Sequence, residues 1–245
     1  MFPLRDHNPS GRRPYVTIAL VVLNLLVFAI TYAAVSDQQA AEVWYRWGMI
    51  PARILAGEGW PTLLTHMFLH GGWMHLIGNL LFLWIFGDNL EDQMGHGGFA
   101  LFYLASGLAA AALEMGMAPG SYVPMVGASG AIAGVMGGYL LLFPRAQVDV
   151  LIVILVFFRV FTVPAWVLLG GWILLQFFAG LEMPSEEDGV AYWAHVGGFV
   201  AGAALTLPFW LARGGRGYWR RNDGHPPHAG AEYPMAQSRI PKVRR

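Results

Sequence analysis

Residues Pro124–Tyr139 read PMVGASGAIAGVMGGY, one serine among glycines at the mouth of an apolar run long enough to cross most of a membrane. A strongly polar group inside a membrane span is costly and marks function by default. Ser and Gly are also common where membrane helices pack closely. Ser129 is therefore either a packing residue or a nucleophile, and the choice turns on whether the rest of the chain supplies a base at the same depth.

The chain has 245 residues, of which 56% are hydrophobic and 12% charged, whereas an ordinary soluble domain carries about 25% charged residues. It therefore reads as a membrane protein. The net charge is zero, which gives no pull toward nucleic acid, and no nucleic-acid partner is expected. The absence of cysteine removes disulfides, thiolate metal sites and a cysteine nucleophile together.

Apolar segments of about 17 to 25 residues cross the hydrocarbon core as helices. Six such segments are present: Tyr15–Val35, Met74–Leu90, Gly98–Met115, the short Ser129–Phe143, Pro164–Leu181 and Ala191–Ala212. A signal peptide has an apolar region of roughly 7 to 15 residues, so the longer first run is read as retained. Val148–Phe158, rich in Val and Ile and too short to span, reads as a cytoplasmic or interfacial approach to the fifth helix. The expected fold is an all-α membrane protein, a bundle of six transmembrane helices.

Lys and Arg set its orientation. Arg5, Arg12 and Arg13 precede the first span, and Arg213, Arg216, Arg220, Arg221, Arg239, Lys242, Arg244 and Arg245 follow the last. The loop after the fifth span instead carries Glu182, Glu186, Glu187 and Asp188. Both termini are expected in the cytoplasm. The chain then divides into a cytoplasmic N-terminal segment (1–14), a six-helix membrane domain (15–212) and a flexible basic cytoplasmic tail (213–245). Trp44, Tyr45, Trp47 and Trp60 in the first loop suit the outer headgroup layer.

In this arrangement the second, fourth and sixth spans begin at the outer face. Ser129 opens the fourth, and His195 lies about five residues, or roughly 7 Å, into the sixth. Gly130, Gly134 and Gly138 recur at intervals of four, as do Ala194, Gly198 and Gly202, and such stripes let two backbones approach closely in lipid. Matched depth and paired seams point to Ser129 as nucleophile and His195 as its base. Acyl transfer also needs donors for the developing oxyanion. The free N–H groups at the start of a helix, here Ala128 and Ser129, can serve, with His75 and Asn79, four apart on one face of the second span, as side-chain donors.

His66 and His70 have the i, i+4 spacing of a zinc-binding helix, but Met67 stands where a zinc peptidase has its glutamate, and only Glu114 among the acids of the other spans is near enough to matter. No metal or other cofactor is expected. His70 is read as tying the first loop to the interior, and His66 as solvated near the interface.

Taken together, these residues resemble the rhomboid family of intramembrane serine proteases, from about Glu58 to Gly202. GASG around Ser129 is similar to that family's nucleophile motif, AHVGGFVAG resembles its base motif with His195, and HMFLHGGWMHLIGN resembles its second-helix signature with His70, His75 and Asn79. FGDNLED and six spans fit bacterial-type members, which implies a multi-pass protein of a bacterial plasma membrane. Two departures stand out. Pro61 follows Trp60 where many relatives have Arg, and Ala133 occupies the place of an aromatic residue that packs on the catalytic histidine; Tyr192, Trp193 or Phe199 is then expected to hold that ring.

The resemblance implies a Ser-His dyad that cleaves transmembrane segments of other proteins, with water drawn from a polar cavity lined by His70, His75, Asn79 and Ser129. It also implies a gate at the fifth helix, where Trp166, Trp172 and Gln176 lie. Two rivals are a non-catalytic protein of the same fold that binds client helices and a transporter with a polar path at midplane.

Overall fold

The fold is described from a computed structural model covering residues 2–33, 35–154, 157–182 and 189–226. Helix α1 (Tyr15–Phe28) continues as a π-helical turn over Ala29–Ala33. The first loop then forms α2 (Asp37–Trp47), opened by a reciprocal Ser36–Gln39 capping box, α3 (Pro51–Leu55), with Pro at its start, and α4 (Thr62–Thr65). A 3-10 turn (His66–Phe68) leads to α5 (Trp73–Met94), and Gly95, at φ +73°, makes the turn into α6 (His96–Met117). After α7 (Ser129–Leu142) come strands β2 (Gln147–Ile154) and β3 (Phe157–Pro164), then α8 (Ala165–Glu182), α9 (Tyr192–Ala212) and α10 (Arg216–Asn222).

Among the described residues, Tyr15–Tyr32, His96–Met117, Ala165–Glu182 and Tyr192–Ala212 are long and apolar enough to cross a membrane. Thr62–Phe68 with Trp73–Met94 qualifies as a pair bent by 93°, and Ser129–Leu142 is a shorter apolar helix. Each expected span thus coincides with a helix. Helix α7, the short one, lies at the centre of the bundle, buried on nearly every side. A helix apolar all round needs that environment.

The all-α expectation is corrected by a three-stranded antiparallel sheet in the order β1-β2-β3, β1 being Phe2–Asp6. The run read as an approach to the fifth helix supplies β2 and the start of β3, which pair Val150 with Phe161 and Asp149 with Thr162. The reason is chemical: β-branched residues favour a pleated backbone, and Val148 and Val150, two apart, turn to the same buried face. The N-terminal segment adds the third strand, with Pro3 opposite Val150.

Polar ties fasten this end of the bundle. Glu91 accepts from the N–H groups of Val16 and Thr17, each at 2.8 Å, and so caps α1, which has no side-chain cap of its own. Tyr139 Oη, near the end of α7, donates to Asp6 at 2.6 Å. Of the stretch expected as a tail, α10 is packed, with Tyr218 buried and the Trp219 indole donating to the Leu141 carbonyl at 3.1 Å. Residues 227–245 lie outside those described.

Candidate active site

The glycine stripes meet as expected, α7 against α9. A Cβ on Gly198 would strike the Gly130 carbonyl, and one on Gly202 the Gly134 backbone, so the two helices touch main chain to main chain. Gly130 and Gly134 also face Ala110 and Ser106 of α6. Helix α7 is thereby clamped from two sides.

This packing brings the imidazole of His195 to Ser129, with Nε2 2.9 Å from Oγ. Ser129 is the first residue of α7, whose N-cap, Ala128, makes no side-chain capping bond. The first-turn N–H groups of that helix and the positive end of its dipole therefore stand beside the hydroxyl.

Helix α5 faces this group with His75 and Asn79, one turn apart. Gly127 has φ +134°, and a Cβ there would lie 2.7 Å from His75 Nε2 and 3.4 Å from Ser129 Oγ. Glycine is required at that position both by the backbone and by the closeness of His75. Asn79 is 8% exposed, and its amide Nδ2 has no hydrogen-bond partner among the described residues. The site therefore holds a donor not committed elsewhere.

A cavity of about 760 Å³ joins these groups; His66, His75, Asn79, Ser129 and His195 are on its wall, with Glu114 and Trp172. The expected lining is corrected in one member: His66 lies on the wall, while His70 is behind His75, their ring centroids 5.2 Å apart and edge to face. The cause is the extended backbone at Leu69, which precedes the start of α5 at Trp73 and leaves His70 off the helical face of His75 and Asn79. The expectation of a solvated His66 is likewise corrected, since that side chain is 1% exposed. No cluster of three or more His, Asp or Glu side chains that could hold a metal occurs among the described residues.

Trp172 and Gln176, expected at a gate, and Glu114, weighed only for a metal, all contact α9. The Nδ1 of His195 lies 2.6 Å from Gln176 Oε1 on α8. The indole of Trp172, one turn away on the same helix, is 5.5 Å from the imidazole between centroids, at 40°. Buried Glu114 of α6 accepts from the Ala194 N–H at 3.0 Å, placing a carboxylate at the N-terminus of α9. The ring found beside His195 is thus one from α8. Phe199 lies beyond it, 6.4 Å from Trp172, and Trp193 packs on Phe177. A signal was available: Gln176 is the one strongly polar side chain in the interior of its apolar span, α8.

At the other departure, Trp60–Pro61, the first loop makes its own contacts. Trp60 is exposed and its indole donates to Gly57, while Arg53 of α3 donates to the Tyr45 carbonyl at 2.9 Å and stacks over the Tyr45 ring, tying α2 to α3.

Residues 57–212 match the model of the family described as Rhomboid domain. The chain is 30% identical over 196 residues to Rhomboid protease GluP of Bacillus subtilis, covering 79% of this chain and 35% of that protein. It is 32% identical over 150 residues to Rhomboid protein 1, mitochondrial, of Saccharomyces cerevisiae, covering 58% and 39%. It is 33% identical over 89 residues to Rhomboid protease GlpG of Salmonella typhi, covering 36% and 31%. The matched segments span less than half the length of these relatives.

Proposed function

The chain belongs to the rhomboid family, an integral multi-pass membrane protein, and from that premise we propose that it is a serine endopeptidase cleaving transmembrane segments of other membrane proteins. The observation that carries this reading is the 2.9 Å approach of His195 Nε2 to Ser129 Oγ at the uncapped start of a helix, on the wall of a cavity.

In the proposed reaction Ser129 Oγ attacks the peptide carbonyl carbon while its proton passes to His195 Nε2. The carbonyl oxygen becomes an oxyanion held by the backbone N–H groups of Ala128 and Ser129 with His75 and Asn79. The imidazolium then returns its proton to the leaving amine, the C–N bond breaks, and an acyl-enzyme remains. Water from the cavity attacks that ester, giving its proton to Nε2, and the acyl C–O bond breaks as Nε2 passes that proton to Ser129 Oγ, releasing the carboxyl product and regenerating both groups. Neither metal nor other cofactor enters the reaction. Six spans with both termini in the cytoplasm put the site in the outer part of the bilayer, and a bacterial plasma membrane fits the Lys and Arg bias. Substrate helices must unwind locally to be cut, which favours helix-weakening residues such as Gly near the bond.

The test is cleavage of a model transmembrane substrate by the purified full chain in detergent, with mapping of the residue labelled by a fluorophosphonate. Label on Ser129 and cleavage lost in Ser129→Ala are expected. A correctly folded chain that is neither labelled nor active would instead be a client-binding protein.

A further inference from the structure

A histidine can act as general base toward Ser129 only when Nε2 carries the lone pair and Nδ1 the proton. Half-buried between α7 and α8, the imidazole needs an acceptor at Nδ1 to hold that tautomer. In many serine hydrolases the acceptor is a carboxylate that also stabilises the imidazolium. No Asp or Glu hydrogen bond to His195 occurs among the described residues; its bonds are to Ser129 and to Gln176 Oε1, the latter at 2.6 Å.

We infer that Gln176 is a positioning residue for the base: its amide oxygen accepts the Nδ1–H of His195 and so fixes the imidazole in the tautomer whose Nε2 lone pair faces Ser129. The inference rests on the serine-peptidase reading of the site and deepens it. Because a neutral amide cannot take the proton, Nδ1 stays protonated throughout, and the proton taken from Ser129 resides on Nε2 until the leaving amine receives it. The amide supplies orientation and a dipole without a full charge. Trp172, four residues earlier on the same face of α8, flanks the ring. The Glu114 bond to the Ala194 N–H anchors the adjoining turn. The imidazole is therefore fixed from three directions, by residues of two different helices and by its own.

This arrangement also accounts for the alanine at 133. Fully buried Ala133 brings no ring to the histidine, and the orienting contacts come from α8 instead. The pair Trp172 and Gln176 together provides a face and a hydrogen bond, the two constraints needed to stop an imidazole from tilting and from flipping.

The test combines kinetics with the tautomer itself. The full chain labelled with 15N-histidine is studied in detergent micelles, the His195 signals being assigned by their loss in His195→Ala. The native protein is expected to show Nδ1–H. In Gln176→Leu the Nε2–H form should become populated, kcat should fall about 10- to 100-fold with KM changed by no more than about twofold, and the acidic limb of kcat/KM should move to lower pH, as loss of one buried hydrogen bond to the imidazolium dictates. Gln176→Glu should recover most of the lost kcat and move the acidic limb to higher pH, because a carboxylate stabilises the imidazolium. A merely structural role would change neither the tautomer nor the limb.

A native tautomer, kcat and pH profile in Gln176→Leu, or Nε2–H in the native protein, would overturn the inference. If Gln176→Leu fails to fold, the Gln176→Glu limb decides, and its failure to rise is equally fatal. A chain that cleaves nothing, or a Ser129→Ala variant that still cleaves, would sink the peptidase reading instead, while the tautomer measurement still decides whether Gln176 orients the ring.

Discussion

His195 Nε2 and Ser129 Oγ lie 2.9 Å apart although 66 residues separate them in the chain. The distance is set by main-chain packing: Gly198 against the Gly130 carbonyl and Gly202 against Gly134 leave no side chain between α7 and α9. His195 sits one turn before that seam and Ser129 immediately before its start. The pair is therefore as rigid as the helix contact that carries it.

Replacing Ser129 by Ala should abolish both cleavage and fluorophosphonate labelling. His195→Ala should reduce kcat by about 10²- to 10⁴-fold, the range of positioned acid-base catalysis. Full turnover by either variant in the detergent assay would refute the dyad.

Asn79→Ala and His75→Ala should each lower kcat by about 10²- to 10³-fold, the effect of one oxyanion donor, with smaller effects on KM. The loss at Asn79 should be less than that of Ser129→Ala. Steady-state kinetics on folded variants checks this, and an effect confined to KM would remove Asn79 from the transition state.

Gly198→Val should push α9 off α7, destabilising the protein by about 1 to 3 kcal/mol or more, as overpacking does. Gly170→Ala is the control, because nothing lies within 4 Å of a Cβ there. Thermal unfolding in the same detergent should separate the two, and equal midpoints would deny the seam its role.

Asp149 makes stability sensitive to acid. Burial opposes its charge, but hydrogen bonds from Thr162, Arg5 and His7 outweigh that and hold its carboxyl at about 2. The folded value lies below the ordinary carboxyl value of about 3.9, so its contribution is complete above pH 4 and is lost as pH falls from about 4 toward 2. The native chain should lose on the order of 1 kcal/mol across that window relative to Asp149→Asn. Parallel denaturation curves for the two proteins from pH 5 to pH 2 would contradict it.

Asp6 has the opposite sign. Burial raises its carboxyl to about 7, against the hydrogen bond from Tyr139. The folded value exceeds the unfolded one, so stability is greatest below about pH 4 and declines as pH rises toward 7. Asp6→Asn should flatten that decline, leaving the variant relatively more stable at pH 8 than at pH 4. Denaturation of both proteins at the two pH values measures the difference, and no difference would place Asp6 in water.

Most of the helical frame was legible along the chain because a membrane span announces itself locally, by about 20 apolar residues. The short central helix was legible too, through its glycines. The sheet was not legible: a run of Val and Ile after the fourth span has the composition of a membrane-proximal segment, and one of its two partner strands, Phe2–Asp6, is nearly 150 residues away. Which of His66 and His70, both buried, reaches the cavity wall was not legible for a similar reason, since it depends on where the extended link before α5 ends.

By itself the sequence determined the apolar helices, the glycine spacing that lets two of them touch, and the serine and histidine residues that could react, because each is written in residues close together or in a regular period. Only the tertiary structure decided which side chains surround His195. Trp172, Gln176 and Glu114 belong to helices whose rotation about their own axes is fixed by packing against α7 and α9, and no local pattern encodes that angle.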